Sequence, residues 1–266
     1  LGNSVLAIRF KDGELARTLC LNSILNSLCY DFVTRTRLGG LNLTWFVLGE
    51  TPIPATIPDF SFRLLVAVSA RLSLIHRRFS LDWLTLRESE ECWNKQEWKT
   101  WWAITEGDRL ALRVQNEAVC ADAFGLDVDE FAWITRNDSD DPKGFWRVDK
   151  ELAYEERLTG LSARAFRALK DDEWSAESAA ELSNDEFFEI LGIPELTNPE
   201  AAKAKGLSGS LILKRNGCHS WHPENFPEDD PRHGWTWDDC RKDAIALLGS
   251  EEAVEEYIAK ATRSDD

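Results

Sequence analysis

The chain has 266 residues, 43% of them hydrophobic and 29% charged, enough for one large core or two small ones. Its 47 acidic and 31 basic residues give a net charge of −16, which excludes a uniformly basic nucleic-acid binder. No apolar run approaches the roughly 18 residues a transmembrane helix needs, so no membrane-spanning helix is expected.

Helical spacing begins at Glu14 and runs to Thr34, with Leu21, Ile24, Leu25, Leu28, Cys29 and Phe32 on one face. Gly39-Gly40 ends that register and supplies freedom for a tight turn. From Leu41 to Leu48 the pattern alternates, with Leu41, Leu43, Trp45 and Val47 on one side and Asn42, Thr44 and Phe46 on the other. That predicts a half-buried strand. Pro52, Pro54 and Pro58 bar continuation of either element. A second helix is expected from Phe60 to Phe79 on Leu64, Leu65, Val68, Leu72 and Ile75. Residues 87–106, rich in Trp and Glu, read as irregular. A third helix runs from Gly107 to Phe124 on Leu110, Val114, Ala118 and Ala121 and closes at Gly125. Asp127 opens a short helix to Ile134, followed by an acidic loop at 137–141. Further helices are expected at 162–170 and 184–191, and a loop at 198–217 holds one brief strand at Leu211–Leu213. The last two helices lie at about 237–249 and 250–262, parted by Gly249-Ser250. The fold class is therefore α+β and mainly α: a helical, bundle-like chain with a small β element in its N-terminal third. Three segments are expected, at 1–58, 59–135 and 136–266.

Charges throughout residues 1–20 argue against a signal peptide. Six cysteines without disulfide-framework spacing point to reduced thiols and a cytoplasmic setting. Methionine is absent, and because leucine nearly matches it in volume the pattern argument is unaffected. The charge is uneven. Residues 1–90 hold ten Arg and Lys against eight Asp and Glu, a net of +2, so the remainder carries −18. The basic part contains Arg35, Arg37, Arg63, Arg71, Arg77 and Arg78.

Three blocks in that order carry a family resemblance. The first is NSILNSLCYDFVTRTRLGGLNLTWFVLGETPIP, from Asn22 to Pro54. It combines an amphipathic helix, a basic turn, a Gly-Gly break, an aromatic and β-branched run and a Pro-x-Pro stop. The second is the helix from Phe62 to Phe79. The third is DRLALRVQNEAVCADAFGLDVDEFAWIT, from Asp108 to Thr135. Together they resemble the target-recognition and helical region of adenine-specific DNA methyltransferases of type IIG restriction–modification and BREX-like phage-exclusion systems. The family's reaction moves a methyl group from S-adenosylmethionine to the adenine N6 in DNA. It needs a Gly-rich cofactor loop and an Asn/Asp-Pro-Pro-aromatic motif around the flipped base. Neither occurs here: the only Asn-Pro is Asn198-Pro199, and Glu200 follows it. No catalytic residue and no cofactor are therefore assigned to this chain, and S-adenosylmethionine is expected only for the family's catalytic domain.

What the resemblance implies is recognition of double-stranded DNA and support of a methyltransferase domain, supplied upstream or in trans. Arginine is bidentate to phosphate and to a guanine edge, so Arg35 and Arg37 at the helix end are candidate contacts. Gly39 and Gly40 would permit close backbone approach, and Asn42 and Thr44 could read base edges. Arg71, Arg77 and Arg78 are the expected backbone contacts. Two bland readings stand beside these. Arg35 and Arg37 also suit the C-terminal end of a helix on electrostatic grounds alone. The −18 part also suits an acidic protein-interaction module of a defence system, with no DNA contact.

A second constellation is NGCHSWHPENFPEDDPRHGWTWDDC, with Cys218, His219, His222, His233 and Cys240. Cys218, His222, His233 and Cys240 could ligate zinc. The stretch lacks a Cys-x-x-Cys pair and is acidic, and Trp221, Trp235 and Trp237 favour an aromatic loop packed on the core. Paired acids such as Asp171-Asp172 read as solvated faces rather than as a general acid and base.

Overall fold

The computed structural model describes residues 14–39, 43–89, 102–103, 106–136, 144–145, 150, 152, 154, 157–196, 200, 204, 228–229 and 233–262. Eleven α-helices and three single 3-10 turns make up its regular structure, and there is no strand among the described residues. The fold is thus mainly helical.

Helices α1 (Leu15–Leu25) and α2 (Leu28–Arg37) occupy the stretch expected to form one continuous helix. Ser27 makes the break. Its hydroxyl donates to the Ile24 carbonyl at 2.7 Å and accepts from the Tyr30 amide at 3.2 Å, closing α1 and capping α2 together. Short hydroxyl side chains compete in this way with the helix ladder.

The expected strand at Leu41–Leu48 is corrected. Leu41 and Asn42 lie outside the described residues, and Thr44 caps helix α3 (Trp45–Glu50) by accepting from the Val47 amide at 3.3 Å. A lone strand has no ladder for its backbone groups, whereas one capped helical turn satisfies its own. The brief strand expected at Leu211–Leu213 lies outside the described residues.

Helix α4 (Asp59–Ser73) starts after Pro58 and stops short of the expected end. A 3-10 turn at Arg77–Phe79 then leads into α5 (Ser80–Ser89), part of which was read as irregular. Trp83 is fully buried and donates its indole N–H to the Leu74 carbonyl at 2.8 Å, fixing that corner.

Helix α6 (Glu106–Ala123) is the centre of the molecule. It packs against α1, α2 and α4 and against two later helices, α8 (Leu158–Lys170) and α9 (Asn184–Ile190). Its small buried residues Ala111, Ala118, Cys120 and Ala121 allow those neighbours close approach, and few of its positions meet water. Gly125, at φ +74°, reverses the chain after it. Asp127 then starts α7 (Val128–Ile134) with a capping box, accepting from the Glu130 amide at 2.8 Å while Glu130 accepts from the Asp127 amide at 2.9 Å. Helices α10 (Trp237–Leu248) and α11 (Glu251–Ala261) pack on α5 and on each other. One buried cluster runs through all of this, from Leu19 and Ile24 through Leu65, Trp83 and Val114 to Phe166 and Val254. No described helix is long and apolar enough to cross a membrane.

A candidate interaction surface at the end of helix α2

Helix α2 is held from several sides. At its start, the Leu28 amide donates to Glu117 Oε2 at 2.6 Å. Along its length it packs on α6 and α7. Phe32 meets the Trp133 ring edge-on at 5.5 Å, and a small cluster of Leu28, Ile134 and Phe145 seals the contact. Helix α2 therefore ends at a fixed place, and what it presents there is set by which arginines remain at the surface.

Arg35 is bound within its own helix. Its Nε and Nη2 donate to the two oxygens of Asp31 at 2.9 and 2.7 Å, and its guanidinium lies 4.7 Å above the Phe145 ring. Arg37 is freer, with a side chain 42% exposed and Nη1 4.0 Å from Glu50 Oε2 on α3. Gly39 is exposed, and a Cβ there would meet nothing within 4 Å, so its lack of a side chain is not required by any neighbour. Gly40 and Asn42 lie outside the described residues. Thr44 is exposed, with its oxygen engaged in capping α3.

The arginines expected along the backbone divide sharply. Arg71 turns inward: its Nε is buried and carries no hydrogen bond, and burial lowers its pKa while Asp108 opposes that. Arg77 makes a fork on Asp243 of α10, Nε to Oδ2 at 2.7 Å and Nη2 to Oδ1 at 2.5 Å, and the Trp235 indole donates to the same carboxylate at 2.8 Å. Its pKa is raised, first by that hydrogen bond. Arg78 is exposed, its guanidinium 4.8 Å above the Phe79 ring. Of the arginines expected at DNA, Arg37 and Arg78 are the ones presented to solvent without a close carboxylate fork.

The expected zinc ligands are only partly described. Cys218, His219 and His222 lie outside the described residues, His233 is exposed, and Cys240 is buried with its thiol donating to the Ser80 carbonyl at 3.3 Å. Burial pushes that thiol up to about 12. Among the described residues no group of His, Cys, Asp and Glu has the arrangement to hold a metal ion.

Two features here have no counterpart in the pattern reading. The first is Glu117, buried on α6 beneath the α1–α2 break. Burial raises its pKa to about 8, against the opposing Leu28 hydrogen bond and Arg113, with Asp31 adding to the rise. Buried thiols stand near it. Burial, then Glu117, raises both Cys29 and Cys120, and burial takes Cys20 to about 11. Burial thus favours the protonated form of each of these thiols. The only local hint was a glutamate inside an otherwise apolar helical face. The second is α3 itself. Its sequence is WFVLGE, yet none of its residues is buried, and Trp45 and Phe46 are 57% and 75% exposed.

Comparisons with protein-family models, with curated proteins and with solved structures each found no match.

Proposed function

We propose that this chain is the DNA-recognition and supporting region of an adenine-specific DNA methyltransferase of a restriction or phage-exclusion system, without catalytic machinery of its own. The observation that carries the reading is the way α2 is held. The blocks that resemble the family form α1 to α4, α6 and α7; α1, α2 and α4 pack on α6, α3 and α7 pack on α2, and α2 ends in an exposed cation at Arg37. A rigid element presenting an arginine is suited to fixing a protein's register on phosphate. The S-adenosylmethionine chemistry belongs, on this reading, to a methyltransferase domain joined to the chain or held beside it.

The test is fluorescence anisotropy of a labelled duplex titrated with the chain across a salt series. Two phosphate contacts, from Arg37 and Arg78, give a log K against log salt slope of about −2. Replacing both by glutamate is expected to flatten that slope. An unchanged slope, or no binding at low salt, overturns DNA contact by this chain. A second reading, an interaction module with no DNA contact, is favoured by one observation: Arg35, Arg71 and Arg77 are all directed to internal partners or into the interior.

A further inference from the structure

Glu117 sits where α1 ends and α2 begins. Its carboxyl belongs to a residue only 4% exposed, and it accepts from the amide of Leu28, the first residue of α2, at 2.6 Å. Just before Leu28 the chain turns at Asn26 and Ser27, so α2 can pivot there without unwinding α1. A buried carboxyl thus bridges the central helix to the start of an element that has its own hinge. Folds open locally in such units, at lower cost than unfolding as a whole.

The groups around the carboxyl decide how it responds to pH. From α2, Cys29 and Asp31 face it, and Asp31 opposes its ionisation. From α6 itself come Cys120 and Arg113, and Cys20 of α1 stands beside Cys120. Helices α4, α8 and α9 bring their groups to α6 elsewhere: Arg71 towards Asp108, Lys170 on Asp122 and Asn184 on Asp108, each at least five residues along α6 from Glu117. Among the described residues no cation forms an ion pair with Glu117, and Arg113 acts on it only from a distance. The anion is favoured by one N–H, by the positive end of α2 and by Arg113. One amide does not replace the water shell that burial removes, so the proton stays on while the joint is closed. Closed, the carboxyl holds its proton up to about pH 8; in water it releases it near 4.5.

We infer that the joint between Glu117 and Leu28 is a pH-sensitive latch, whose deprotonation frees the start of α2 from α6 while α1, α4 and α6 stay packed. On opening, the carboxyl proton passes to water and the carboxylate exchanges the Leu28 amide for solvent. Helix α3 packs on α2, with Arg37 and Glu50 facing each other across the two, so both move together. Between the two pH values each opening releases one proton, and the opening equilibrium grows about tenfold per pH unit. The surface at the end of α2 is therefore fixed at acid pH and loosened at alkaline pH, whatever it contacts.

The test is hydrogen exchange of the full chain, read by mass spectrometry from about pH 5.5 to about pH 7.5, with the intrinsic pH dependence of exchange divided out. Glu117→Gln keeps an acceptor for the Leu28 amide and cannot ionise. Expected in wild type is protection of residues 28–37 that falls about tenfold per pH unit, and in Glu117→Gln protection that stays constant. The amides of α4 stay better protected than those of α2 in both proteins. Alkylation by iodoacetamide gives a second readout on two buried thiols: the rate at Cys29, divided by that at Cys240, rises with pH in wild type alone. The same pH dependence of α2 protection in both proteins overturns the latch. So does exchange of α2 and α4 through one common opening at every pH, because Glu117 would then act only through unfolding of the whole chain.

Discussion

Replacing Glu117 by glutamine should remove a pH dependence of stability that this one carboxyl imposes. In the folded chain burial raises its pKa from 4.5 to about 8. Below about pH 4.5 it is protonated in both states and costs the fold nothing electrostatically. Between the two values the unfolded chain has released the proton and the folded chain retains it, so stability falls as pH rises, by about 1.4 kcal/mol per pH unit. The full window is worth about 5 kcal/mol, and the interval from about pH 5.5 to about pH 7.5 carries roughly half of it. Glutamine keeps an oxygen for the Leu28 amide and has no proton to lose. Urea unfolding of both proteins at the two pH values gives the difference directly, because every other titrating group is common to both. Expected is a wild-type loss exceeding that of Glu117→Gln by about 2 kcal/mol or more. Equal losses would mean that Glu117 is already ionised in the fold. The Leu28 amide at the start of α2 and the Arg113 charge would then outweigh burial.

Two further outcomes test the packing. Arg77→Ala should destabilise the chain by about 1–2 kcal/mol, since a charge-assisted fork is lost while Asp243 keeps the Trp235 indole. A double-mutant cycle with Asp243→Asn should recover most of that as coupling, and a coupling near zero would remove the fork as the link between the Arg77 turn and α10. Asp127→Ala breaks the capping box of α7 and should lower stability by about 1 kcal/mol, with Asp127→Asn retaining most of it; identical urea midpoints for all three proteins would refute the cap.

The parts of the fold that were legible are those in which local chemistry and burial agree. From Gly107 to Ile134 the apolar period, the stop at Gly125 and the Asp127 cap all point the same way, and α6 and α7 follow to within a residue or two. At 41–48 they disagreed. The alternation there is real, but a period of two over a few residues says nothing about whether a partner strand exists, and Thr44 offered a cap instead. Ser27 is a subtler case: the apolar face passes through it unbroken, and only its two hydrogen bonds reveal two helices. Helix α5 failed for a non-local reason. Its buried Trp83, Leu84 and Leu86 are covered in part by α10 and α11, far along the chain, and nothing within 80–89 announces that cover.

The candidate site shows the same division with greater effect. A sequence displays its arginines but not the carboxylates they meet. Asp31, four residues before Arg35, was a readable warning, since that spacing places both on one helical face. Asp243 lies 166 residues from Arg77 and gave none. Arg71 and Arg78 are both expected at the DNA backbone on a helix running to Phe79, but α4 stops at Ser73, the helical phase is lost, and one turns inward while the other faces water. With the expected cations thus reduced to Arg37 and Arg78, the DNA contact proposed above rests on two side chains and predicts weak binding with a shallow salt dependence. Tight binding then requires a second positively charged surface close by.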